Sequence, residues 1–183
     1  MWKKTINILG AATLFASLFL IPSINEAQEQ KPANSEVRSY PKDTYNKLGF
    51  TSVEQSLKNF KKVHNNGVSL PNDFEKKLPF KVTHSFGRME NDKSVRLEFL
   101  NPTSNDLLVL QISEEKEFFP KSDSEKVSKL KNGTTYFHNL DSKGVYTFRF
   151  KNDGLGYVLM ADRNNHLELS DFENIATLIT KQR

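Results

Sequence analysis

The sequence predicts an α+β domain: an antiparallel sheet of about six strands with an N-terminal and a C-terminal helix packed on it. Three observations predict it. Val53, Leu57, Phe60 and either Val63 or His64 recur every three to four residues, the period of a helix with one buried face. Phe172, Ile175, Ala176 and Ile179 repeat that period at the other end of the domain. Between them, from Phe80 to Ala161, apolar and polar residues alternate in short runs punctuated by Gly, Asn, Asp and Pro. Helix, strands joined by hairpin-length turns, then helix is an α+β order rather than a series of βαβ units.

The chain opens differently. Trp2-Lys3-Lys4 places two positive charges ahead of a nearly uncharged run from Ile6 to Ile21, which Pro22 ends. As a helix rising ~1.5 Å per residue the run reaches only about 24 Å, short of the ~30 Å hydrocarbon core. Residues 1–27 therefore read as a secretory signal peptide, with an uncleaved anchor as the alternative. Ala27 is a small residue suited to cleavage, and Asn25 stands where a second small residue is preferred. Residues 28–49 follow as a flexible leader, because Gln28 to Tyr40 is polar and has no apolar period. The single α+β domain occupies residues 50–183.

Within that domain Ser52 is positioned to cap the first helix, with Gln55 three residues on, and Lys58, Lys61 and Lys62 fall off its apolar face. Asn65-Asn66-Gly67 ends the helix. Val68 to Pro79, with two prolines, reads as a connector extended along the surface. Phe80 to Phe86 is the first alternating strand and Gly87 to Asn91 its turn. Val95 to Phe99 is the second strand, and Asn101 to Asn105 is a hairpin into a third, Leu107 to Ile112. Apolar at almost every position, this third run is expected to be central and buried on both faces. Ser113 to Lys131 is irregular. Asn132-Gly133 turns the chain into Thr134 to His138, and Lys143-Gly144 turns it again. Tyr146 to Phe150 pairs with Leu155 to Ala161 across the tight turn Asn152-Asp153-Gly154. Ser170 and Glu173 have capping-box spacing at the last helix, with Asp171 in its first turn.

Composition narrows the function classes. There is no cysteine, which excludes disulfides, thiol catalysis, cysteine metal sites and a lipid-modified cysteine. Cleavage near Ala27 leaves about 156 residues, enough for one domain burying about two-thirds of its unfolded surface. Beyond Ala27 there are 24 Lys and Arg against 21 Asp and Glu, too even and too interspersed for nucleic-acid binding. Attraction to anionic wall polymers or lipid head groups would need lysines to cluster, because screening acts over about 8–10 Å. A short signal with a lysine-rich, cysteine-free domain suits a Gram-positive bacterium.

No catalytic pattern emerges. His64, His84, His138 and His166 stand outside metal-ligand spacing of one another, and no G-x-S-x-G elbow is present. His138 and Asp141 could bring an imidazole near a carboxylate, though a turn histidine beside a surface Asp accounts for both. Glu114, Glu115, Glu117, Asp123 and Glu125 read as solvated charge rather than as a glycosidase pair. No metal or cofactor is expected. Among the aromatics, Phe86, Phe99, Phe148 and Phe150 read as core. Phe118-Phe119-Pro120, between an acidic run and a polar loop, reads either as a buried loop anchor or as an apolar grip for a ligand.

Four stretches run in a distinctive order: Val95 to Ile112 (VRLEFLNPTSNDLLVLQI), Lys131 to Tyr136 (KNGTTY), Phe148 to Met160 (FRFKNDGLGYVLM) and Leu169 to Ile175 (LSDFENI). Together with the opening Leu78 to Val82 (LPFKV), this cadence resembles the Gram-positive extracytoplasmic domain of unknown function 4367, over roughly Phe50 to Lys181. Domains of that kind occur in lipoproteins and in anti-sigma-like regulators. The resemblance implies an α+β module that binds or senses something outside the membrane, and it carries over no catalytic residue. This chain departs from both contexts, having no lipid-acceptor cysteine and no cytoplasmic regulatory segment.

The expectation is a secreted or cell-surface, non-enzymatic binding or sensory module. Its ligand would be a peptide, a lipid or a wall component, held against the sheet or beneath Phe118 and Phe119. One alternative is a cell-wall or membrane-surface structural protein using Lys58, Lys61, Lys62, Lys76 and Lys77 against an anionic polymer. The other is a small hydrolase in which two carboxylates, or His138 with Asp141, converge in a cleft.

Overall fold

The structure, a computed structural model, describes residues 42–64, 68–90, 92–115, 121–140, 144–162 and 166–181. They form one antiparallel sheet of seven strands: β1 (His84–Glu90), β2 (Ser94–Asn101), β3 (Asp106–Glu114), β4 (Lys126–Lys129), β5 (Thr135–Asn139), β6 (Val145–Asn152) and β7 (Leu155–Asp162). Three helices accompany it: α1 (Lys42–Lys47), α2 (Val53–His64) and α3 (Leu169–Thr180). The strand order is β1-β2-β3-β7-β6-β5-β4, so the chain makes two meanders, β1 to β3 and β4 to β7, whose last strands pair in the middle. This is the α+β class that the alternation and the two flanking helices predict, with one strand more than expected. Among the described residues no helix is long and apolar enough to cross a membrane.

Two registers through the sheet define its faces. Gly87, Leu97, Leu110, Leu159, Phe148 and His138 lie side by side on one face. Their chain neighbours Arg88, Arg96, Gln111, Val158, Arg149 and Phe137 lie side by side on the other. The first face is the core. Leu97, Phe99, Leu108, Leu110, Ile112, Phe148, Phe150 and Leu159 pack with Phe60 of α2 and with Phe172, Ile175, Ala176 and Ile179 of α3. Phe172 stacks on Phe148 with centroids 5.9 Å apart. Burying these side chains contributes about 1.5–3 kcal/mol each, the main force holding both helices to the sheet.

Local chemistry sets the details. Gln55 N–H donates to Ser52 Oγ at 3.1 Å, so Ser52 caps α2 as its position predicts. His64 is the residue that closes the apolar face of α2: its side chain is buried with Nδ1 2.8 Å from Glu114 Oε1, while Val63 is 55% exposed. The β6–β7 hairpin turns on Asp153 and Gly154 alone, with φ of 50° and 74°, the left-handed pair that matches strand twist. Gly87 has a different task. It lies inside β1, bridges backbone to backbone with Thr51, and a Cβ there would stand 2.6 Å from Ser56 Oγ. The missing side chain is what lets α2 approach the sheet.

Several expectations are corrected. The first strand runs four residues later than the alternation at Phe80 to Phe86 suggests, and Gly87 to Glu90 is strand rather than turn, for the reason just given. The connector Val68 to Pro79 is not simply a surface strap: Val68, Phe74 and Leu78 are buried, with a 3-10 turn at Phe74–Lys77. β4 emerges from the segment read as irregular. The part of the 28–49 leader that is described holds a helix, α1, because Tyr45 stacks on Phe86 at 4.0 Å and meets Phe50 edge-on. At α3 the cap is Glu168 rather than Ser170, which lies within the helix. Asp171 accepts the Glu168 N–H at 2.9 Å. Glu173 is released for another contact, accepting a hydrogen bond from Tyr136 Oη. His138 is not a turn residue on the surface. It is buried in β5, on the core face beside Tyr136.

Candidate binding face

The face of the sheet turned away from α2 and α3 carries a set of buried, paired charges. An outer face of such a sheet ordinarily alternates solvated polar residues. Here Val109 and Met160, opposite each other on the two central strands, are 2% and 4% exposed, and they belong to neither apolar cluster of described residues. Glu98 lies beside Val109 and is 5% exposed, and Arg149 is 6% exposed. A charge this dry is costly unless it is paired and hydrogen-bonded.

The pairing is complete for these groups. Arg96 Nε donates to Glu98 Oε1 at 2.7 Å, along one strand, where residues two apart share a face. Arg88 Nη2 donates to Glu90 Oε1 at 3.0 Å by the same spacing on β1. Arg149 is held from outside its strand: Nε and Nη2 donate to Glu125 Oε1 and Oε2, each at 2.5 Å, a two-pronged grip, and its guanidinium lies 4.9 Å from the centre of the Phe137 ring. Burial pushes the Glu125 carboxyl up, but the hydrogen bonds from Arg149 and from the Ser122 N–H outweigh it and hold it below the ordinary carboxylate value. Gln111, between Arg96 and Val158, donates to Ser94 Oγ at 3.3 Å.

Two rims bound this floor. On the β1 side, Phe50 and Tyr45 of the segment that carries α1 pack with Phe86, Leu100 and Leu107. Arg88 leans against that rim, its guanidinium 4.6 Å from the Phe50 ring centre and Nη1 donating to Leu48 O at 3.2 Å. On the β6 side the chain ahead of β4 is tied down by Glu125, and Asn139 donates to Ser124 Oγ at 3.2 Å. The floor between is Arg96, Glu98, Val109, Gln111, Val158 and Met160. Both signs of charge surround a buried apolar centre, and Val158 is half-buried beside it.

The residues singled out from the sequence fall elsewhere. Phe118, Phe119 and Asp141 lie outside the described residues. Lys58, Lys61 and Lys62 are exposed on α2, and Lys76 and Lys77 are exposed on the 3-10 turn, all on the helical side of the molecule. The charge run is not uniformly solvated either. Glu114 meets His64 and Glu125 is the buried partner of Arg149, while Glu115 pairs with Lys151 at 3.0 Å in the open. Among the described residues no three His, Asp or Glu side chains gather as a metal site. The sequence does not mark the floor residues, because Arg96, Glu98 and Arg149 occupy the off-core positions of alternating strands, where charge is expected to be wet. The opposite charges two apart on β2 were the one available sign.

Comparison with protein-family models gives no match, and comparisons with curated proteins and with solved structures give none either.

Proposed function

We propose that this protein is a non-enzymatic binding module, exported from the cytoplasm, that holds a ligand against the sheet face opposite its helices. The observation that carries the reading is the dry Val109–Met160 centre framed by the Arg96–Glu98 and Arg149–Glu125 pairs. Buried ion pairs give little net stability over apolar side chains of the same size, so a purely structural role leaves their presence on this face unexplained. Of a peptide, a lipid and a wall component, the pattern favours a peptide: an apolar side chain against the half-buried Val158 and polar or charged groups toward the rims. The resemblance to an extracytoplasmic α+β family supports the same reading, as does the apolar run behind Trp2-Lys3-Lys4.

The test is mass spectrometry of molecules that copurify with the protein from a bacterial envelope extract. A peptide is expected at near-stoichiometric yield with the wild-type chain. Val158→Glu, which places a carboxylate on the half-buried middle of the floor, should cut that yield about tenfold while the unfolding midpoint moves only a few degrees. An unchanged yield would count against this face.

A further inference from the structure

The net charge of the domain is not spread evenly. Residues 54–81 hold six lysines against three acids, whereas residues 82–183 hold 14 lysines and arginines against 15 acids. The six are Lys58, Lys61, Lys62, Lys76, Lys77 and Lys81, and every one is exposed. Topology gathers them. The buried side of α2, Phe60, and that of the 3-10 turn, Phe74, enter the same core face of the sheet, and Phe74 packs on Phe99 of β2 at 5.3 Å. Both elements therefore lie over the same face of the sheet, with their lysines exposed. On α2, Lys58, Lys61 and Lys62 stand at i, i+3 and i+4, one side of the helix. Only Lys76 is within ion-pair distance of a described carboxylate, Asp73 at 2.8 Å, and that pair is open to solvent.

We propose that this lysine surface binds a linear phosphate polyanion, the chemistry of an anionic wall polymer. Lysine ammoniums are flexible point charges without a fixed fork, suited to repeating phosphates rather than to one shaped anion. A bilayer is the poorer fit, because the apolar side of α2 is already spent on the core and leaves little to insert between lipids. The surface is on the helical side of the sheet, so it can be occupied while the opposite face is free, and it stands whether or not that face binds a ligand.

The experiment measures binding of the full chain to inorganic polyphosphate as ionic strength is raised, with phosphatidylglycerol vesicles as the second probe. Binding to polyphosphate at low salt is expected, with affinity falling steeply as salt rises, since each contact releases condensed counterions. K58E/K61E/K62E should weaken it at least tenfold and flatten the salt dependence. K129E/K131E/K181E, the same charge change on exposed lysines elsewhere, should weaken it less than threefold. K58Q/K61Q/K62Q repeats the comparison without new like charges, should the reversal unfold the chain. Equal weakening by the two charge-reversal sets, no binding to polyphosphate, or tighter binding to the vesicles would overturn the proposal.

Discussion

Gly87 shows how much one missing methyl group decides. It sits in a strand, where glycine ordinarily weakens pairing, because Ser56 of α2 occupies the space a Cβ would need. Gly87→Ala should destabilise the protein by about 1–3 kcal/mol, the range for overpacking a tight contact, as read from denaturant midpoints. Adding Ser56→Ala should not rescue it, because Ser56 Cβ itself would lie 2.7 Å from the new atom. Glu125 makes a second prediction at this scale. Its carboxyl sits below its ordinary value of 4.5 in the folded state, so its contribution is present above that pH and is lost as pH falls through the lower folded value. Wild-type stability should therefore drop on acidification below about pH 4.5 more steeply than that of Glu125→Gln. At neutral pH the variant should already be weaker by about 3 kcal/mol, because Arg149 is left buried without its carboxylate. Parallel acid titrations of unfolding would contradict this assignment. Neither residue announces itself in the sequence: Gly87 looks like a turn, and Glu125 looks like one more charge in a solvated run.

At the scale of elements, the sequence is most legible where a rule is local. The Asp153-Gly154 hairpin, the Ser52 cap, and the apolar stripes of α2 and α3 follow from spacing alone. The alternation from Val145 to Asp162 places each Phe on its face. Legibility fails where tertiary contacts override local signals. β1 slides past its apparent start because α2 needs Gly87 in the strand, and the connector buries Phe74 and Leu78 although its prolines suggest a surface path. β4 exists because Lys126 to Lys129 pairs with β5, and no alternation marks those four residues. The C-terminal helix starts at Glu168 and Leu169, one turn-edge earlier than its Ser170 signal, and this leaves Glu173 to accept a hydrogen bond from the buried Tyr136. Burial, and then that carboxylate, raise the Tyr136 hydroxyl above its usual pKa, so the donor keeps its proton. Tyr136→Phe should loosen α3 from β5 at a cost of about 1.5–3 kcal/mol, the range for a hydrogen bond to a charged group. Faster amide exchange through α3 is expected, and exchange unchanged there would show that the contact is incidental.

At the scale of the described domain, the sheet has two unlike sides. One side is an apolar core under two helices, and the alternation of Phe, Leu and Val along β2, β6 and β7 makes much of it readable. The other side is a floor of paired charges around Val109 and Met160, readable only in fragments. Its pieces come from β2, β3, β6, β7 and the chain ahead of β4, and no sequence spacing links Arg149 to Glu125, 24 positions earlier. The overall balance of charge is similarly misleading, since a nearly even total conceals a positive stretch at residues 54–81 and a slightly negative one at residues 82–183.

Two methionines report on the two sides separately. Met89 pairs with Val95 and packs against the core cluster, while Met160 stands on the opposite face beside Val109. A carbon-13 methionine-methyl NMR spectrum of the protein, recorded before and after addition of an envelope peptide extract, reads both at once. Binding on the proposed face predicts a shift or broadening of the Met160 methyl with Met89 unmoved. A change at Met89 alone, or at neither, would contradict it.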